Sequence, residues 1–164
     1  MRILGIDPGL VATGYGMIAA TGDRMECLAA GVIRPDSPAL DRRLLQIHEE
    51  LTALLHEFIP DAVALEDLFT VYKHPKTAVL MGHARGVICL AAAQRAVPVI
   101  NIAPTEVKRA VTGHGRASKE QVQRMVQGLL RLPSLPTPDH VSDALALAIC
   151  HATRERSPAA MYRR

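Results

Sequence analysis

Three short stretches carry side chains that could do chemistry together: GIDPG, with Asp7; LED, with Glu66 and Asp67; and DHVSD, with Asp139, His140 and Asp143. Each stands beside an apolar run, where a charge costs desolvation free energy unless something positive meets it. Asp143 lies three residues from His140 and four from Asp139, so on a helix either pair shares a face. Carboxylates gathered at one point repel one another and hold protons unless a cation neutralises them. Hard divalent cations take oxygen ligands of this kind. Two such ions about 3.5–4 Å apart can activate a water and stabilise the leaving oxygen of a phosphodiester. The chemistry expected is therefore phosphodiester hydrolysis with Mg2+ or Mn2+, two ions per active site.

For these groups to meet, the chain must bring them to one edge of a layer. RILGID is a short apolar run ended by Pro-Gly, which reads as a strand and a turn. TGYGMIAA and ECLAAGVIRP read as two further strands, and the short gaps predict an antiparallel meander. ALDRRLLQIHEELTALLHEFIP carries leucines and isoleucine at helical spacing and stops at Pro60. DAVALE is a buried strand closed by Glu66, followed by the long helix PKTAVLMGHARGVICLAAAQRA and the strand VPVINIA. Strand, helix, strand in succession predicts parallel additions to the sheet. Two helical pieces follow, PTEVKRAVT and SKEQVQRMVQGLLRL, split by GHGRA, with Ser118 as the expected cap of the second. The last helix is PDHVSDALALAICHATRER, with Thr137 expected as its cap and Pro138 at its first position. If the first and fourth strands are neighbours, Asp7 and Glu66 lie side by side, and the last helix can add His140 and Asp143. One domain is expected over 1–153, with 154–164 as a flexible tail.

The 164 residues can bury a real core, but aromatics make up only 3%, so Leu, Val, Ile and Ala must fill it. Cys27, Cys89 and Cys150 are widely spaced in apolar stretches and are expected as buried free thiols rather than metal ligands or disulfides. No run is long and apolar enough to span a bilayer, and MRILGIDPG lacks the uninterrupted apolar stretch of a signal peptide. A cytoplasmic protein with no membrane partner is expected. The net charge of +3 permits a polyanionic partner.

Where that partner would lie is suggested by two basic stretches. In DLFTVYKHPK, Phe69 and Tyr72 flank a loop with Lys73 and Lys76; an aromatic there can stack on an unpaired base while lysines hold phosphates. Lys108, Arg109, Arg116, Lys119 and Arg124 form the second, around the glycine-containing segment TGHGRASK. The amides opening the helix after Ser118 are a further possible phosphate contact. Ala78, Gly82 and Gly86 recur every four residues on the second long helix, a stripe suited either to a dimer contact or to packing on the sheet.

The segments GIDPGLVATGYG, LEDLF, GHARGV, PTEVKRAVTGHGRASKEQVQRMV and DHVSDALALAICH, in this order from Met1 to about His151, resemble the RuvC Holliday-junction resolvases. The first segment alone also looks like the phosphate loop of actin-like ATPases, but those use two such domains. The resemblance implies an RNase H-like fold, a five-stranded mixed sheet flanked by helices. It implies a homodimer that nicks a four-way DNA junction symmetrically, in recombination and repair, with branch-migration proteins as partners. It places the metal-binding positions on Asp7, Glu66 and Asp143, and a fourth, often Asp, on His140. An aromatic beside the junction centre falls on Phe69, and basic DNA contacts fall on Lys108 and Lys119. Imidazole suits Mn2+ better than Mg2+, so His140 is either a ligand or a proton-transfer group.

Overall fold

The computed structural model describes residues 1–67 and 75–156. Strands β1 (Arg2–Asp7), β2 (Thr13–Thr21) and β3 (Arg24–Ile33) form the expected antiparallel meander. Helix α1 (Leu40–Phe58) leads to β4 (Ala62–Glu66), and α2 (Pro75–Gln94) to β5 (Val99–Ile102). Both later strands are added in parallel, giving one five-stranded mixed sheet in the order β3-β2-β1-β4-β5. Helices α3 (Pro104–Thr112), α4 (Lys119–Leu130) and α5 (Asp139–Arg156) complete the described residues.

The sheet is covered on both faces because its central strands are apolar at both parities. Leu4, Ile6, Met17, Val63 and Leu65 pack with Ile47, Leu51 and Leu55 of α1 and Ile88 and Ala92 of α2. Ile3, Ile18, Ala64 and Ile102 take the other face and pack with α3, α4 and α5. The spacing of Ile47, Leu51 and Leu55 is the buried stripe expected of an amphipathic helix. Helix α5 lies across the centre of that second face, with Val141, Ser142 and every residue from Ala144 to Ala152 buried. Asp139, His140 and Asp143 are its only residues before the last turn that reach solvent.

Local signals decide the ends that matter. Ser118 accepts the Gln121 amide while Gln121 answers to the Ser118 amide, the reciprocal cap expected at this point. That cap occupies one of the amides considered for phosphate. Gly113 closes α3 at φ 80, a conformation that side chains with a Cβ rarely adopt.

Three expectations need correction, and one choice left open is decided. Helix α5 opens at Asp139, and Pro138, joined to Thr137 by a cis peptide, sits just outside it and accepts the Val141 amide. The same helix runs through Arg156, so 154–156 are helical rather than tail; 157–164 lie outside the described residues. Only Cys150 is fully buried, since Cys27 and Cys89 sit on strand and helix faces that keep partial contact with solvent. Gly82 and Gly86 are exposed, and among the described residues no other part of the fold packs against them, because Ala84, Ile88 and Ala92 are the residues that face inward. The small-residue stripe therefore does not pack on the sheet. The arrangement as a whole is the RNase H-like fold that the resemblance implied.

Candidate active site

Asp7 and Glu66 are the last residues of β1 and β4. These strands are parallel neighbours, and the pairing of Ile6 with Leu65 carries the two acids to the next position of the register. Side chains alternate faces along a strand. Asp7 shares its parity with Ile3, and Glu66 with Ala64, both of which belong to the core beneath α5. Both carboxylates thus leave the sheet on the face that α5 covers, at the end where α5 begins.

Glycines set how closely that helix approaches. Gly14 pairs with Asp7 across β1 and β2, and a Cβ at Gly14 would strike the backbone and Cβ of His140. Gly5 and Gly16, paired two residues further along, meet Ala144 and Leu145 in the same way. The first turn of α5 therefore rests on bare sheet backbone. With its proton on Nδ1, His140 donates to Asp7 Oδ2 at 2.6 Å. Asp143 Oδ2 lies 3.7 Å from Lys119 Nζ, which reaches over from the start of α4.

The cleft so formed has a volume of about 710 Å³ and is lined by Asp7, Glu66, His140, Asp143, Lys108 and Lys119, together with Asp139 and the turn 8–12. Burial raises the pKa of Asp7, against the lowering effect of His140 and Lys119. Burial also raises Asp143, with Asp7 adding to the effect and Lys119 opposing it. Glu66 is pushed up to about 7, first by burial and then by repulsion from Asp7 and Asp143. The cluster is thus short of positive charge, which is the state that a divalent cation relieves.

Oxygen-rich donors of this type fit a hard divalent ion, with an imidazole that widens the fit toward Mn2+. Among the described residues, no three His, Cys, Asp or Glu side chains stand ready to hold one ion as they are placed. Asp7 is engaged by His140 and Asp143 by Lys119 through one carboxylate oxygen each, which leaves the second oxygen of each outside these contacts.

Among the expected DNA contacts, half-buried Lys108 and exposed Lys119 both face the cleft. Arg116 is exposed on the connection between α3 and α4, and Lys76 is exposed at the start of α2. Phe69, Tyr72 and Lys73 lie outside the described residues. Arg109 and Arg124 are exposed, whereas Arg154 is held by Glu106 at 3.3 Å.

Two residues escaped the reading of the sequence. Thr13 is fully buried; its hydroxyl donates to the Gly9 carbonyl at 2.6 Å and accepts the Gly9 amide at 3.3 Å, tying down the turn that forms one wall of the cleft. A threonine after a glycine-containing turn gives no signal of this by itself. Arg85, from α2, donates to the Glu66 carbonyl and to Asn101 Oδ1. A lone arginine within the apolar run of that helix was the signal available for it.

Comparison with known proteins agrees with this geometry. A family model described as crossover junction endodeoxyribonuclease RuvC matches residues 3–151. The chain is 48% identical over 154 residues to the crossover junction endodeoxyribonuclease RuvC of Desulforamulus reducens, covering 93% of each chain. It is 50% identical over 149 residues to the protein of the same description from Rhodopirellula baltica, covering 90% of this chain and 84% of that one. The structure of Thermus thermophilus RuvC in complex with Holliday junction substrate superposes with a TM-score of 0.90 at 39% identity, covering 95% of both chains.

Proposed function

This chain belongs to the RuvC family of crossover junction endodeoxyribonucleases, and from that premise we propose that Asp7, Glu66, Asp143 and His140 form its catalytic site. It is a metal-dependent nuclease that resolves Holliday junctions in recombination and repair. The finer reading is that two Mg2+ or Mn2+ ions are held per site and that the junction is opened by a pair of symmetric nicks.

The observation that supports this most is the meeting of β1, β4 and α5: three carboxylates from distant parts of the chain enter one cleft, whose other wall carries Lys108 and Lys119. Bound ions would supply an activated water and stabilise the departing 3′-oxygen of a phosphodiester. Asp7, Glu66 and Asp143 would hold those ions, with His140 as a further ligand or as a proton carrier through the imidazole nitrogen that Asp7 does not occupy. Lys119 is poised to leave Asp143 for a backbone phosphate once the acids are neutralised otherwise, and Lys108 would grip the same strand. Phe69, Tyr72, Lys73, Lys76 and Arg116 would contact the arms and centre of the junction.

One chain supplies one acid cluster, and a junction is resolved only when two related strands are cut, so this reading requires a homodimer with twofold symmetry. Val79, Gly82, Gly86 and Leu90 share one exposed face of α2, and that face would receive the second copy. Branch-migration proteins and a cytoplasmic location go with the same activity. Among the described residues, no helix is long and apolar enough to cross a membrane.

The test is cleavage of a synthetic four-way DNA junction with Mg2+ or Mn2+, run beside Asp7→Asn. The substitution should abolish cutting and leave junction binding in a gel-shift assay intact. Normal cutting by Asp7→Asn would refute the assignment of the site.

A further inference from the structure

Arg85 reaches from the half-buried side of α2 to the ends of two strands. One guanidinium nitrogen donates to the main-chain carbonyl of Glu66, and the other donates to Asn101 Oδ1 at 2.7 Å. Glu66 is the last residue of β4, and Asn101 on β5 pairs with Leu65, the residue before it. The Asp67 amide bonds to the Ile102 carbonyl at 2.9 Å. A planar fork that holds the Glu66 carbonyl fixes the plane of the peptide joining Glu66 to Asp67, and with it the direction in which the Glu66 side chain leaves the backbone. Both acceptors are uncharged oxygens, and the contact reaches Glu66 through its main chain, from the sheet face opposite to the one its carboxylate enters.

We propose that Arg85, with Asn101 as its second anchor, is a positioning residue for Glu66: it sets the angle at which this carboxylate enters the cleft and so tunes the affinity of the site for a divalent ion. The inference rests on the reading of Asp7, Glu66 and Asp143 as metal ligands. It assigns Arg85 no contact with DNA or with the reacting atoms. Outer partners that orient a ligand typically cost a metal site about 10–100-fold in affinity when lost. An arginine acting through a main-chain carbonyl belongs at the lower end.

The test is calorimetric titration of the whole protein with Mn2+ in the absence of DNA, comparing wild type with Arg85→Met, Arg85→Lys and Asn101→Leu. Arg85→Met should bind Mn2+ about tenfold more weakly. Arg85→Lys should recover only part of the loss, because an ammonium group keeps the charge but cannot fork between the two oxygens. Asn101→Leu should weaken binding in the same direction. Junction affinity measured without divalent ions should stay at the wild-type level in all three. Wild-type Mn2+ affinity in Arg85→Met overturns the proposal, as does full recovery by lysine. So does a loss confined to junction binding, which would make Arg85 a phosphate contact. Should Arg85→Met fail to fold, Asn101→Leu carries the test, and wild-type Mn2+ affinity in that variant refutes the clamp. Asp7→Asn separates this from the underlying reading: if it binds Mn2+ as tightly as wild type, the metal site itself is misassigned.

Discussion

Glu66 is the side chain whose protonation its surroundings alter most among the acids of the cleft, moving from an ordinary 4.5 to about 7 through burial and the fields of Asp7 and Asp143. Between those two values the folded protein holds a proton that the unfolded chain has already released. The unfolded state then binds fewer protons than the native state, so stability falls as pH rises through this window. Metal-free protein is therefore expected to have a lower Tm at about pH 8 than at about pH 5. Glu66→Gln removes the titrating group, and thermal unfolding should show a smaller difference between the two pH values for that variant. An equal difference would mean that Glu66 does not carry the shift. Such a site is held together against its own repulsion, a cost that active sites commonly impose on stability.

At the level of elements, the decisive contact is α5 against β1 and β2. Gly5, Gly14 and Gly16 leave no side chains between helix and sheet, and Gly14 faces the backbone of His140 itself. Gly14→Ala should push the first turn of α5 away from the sheet and lengthen the bond between His140 and Asp7. A displacement of about 1 Å in catalytic groups can cost about a hundredfold in rate. Cleavage of a four-way junction should fall by that order, while gel-shift affinity should hold, because Lys108 and Arg116 sit on α3 and the connection after it. Overpacking there should also cost about 1–3 kcal/mol of stability, measurable by denaturant unfolding.

For the whole molecule, one cluster of acids per chain sets what the proposed dimer would have to do. Mixing wild-type protein with an excess of Asp7→Asn should yield heterodimers that nick one strand and leave the junction unresolved. Product analysis on a denaturing gel would show single nicks accumulating at the expense of paired ones. Paired cutting undiminished by the excess would mean that the sites do not act as twofold partners. The exposed stripe of Val79, Gly82, Gly86 and Leu90 is the surface on which such a dimer would be built.

Much of this protein can be read from covalent order alone. The short apolar runs RILGID and DAVALE, Pro-Gly after Asp7, and helical spacing from Leu40 to Phe58 are local patterns, and each produced the element it called for. The same patterns put an acid at the end of each of two strands and two more groups on the first turn of the last helix. Tertiary structure alone decided which faces met. The inward face of α2 is built by Ala84, Ile88 and Ala92, which turns the glycine stripe outward, and no spacing in the sequence chose between those two sides. The bond between His140 and Asp7, the ion pair of Lys119 with Asp143, and the reach of Arg85 to Glu66 join residues 133, 24 and 19 positions apart. Local propensity acts over a few residues, whereas these contacts exist only after the sheet has ordered its strands and bare glycine backbone has let α5 settle onto it.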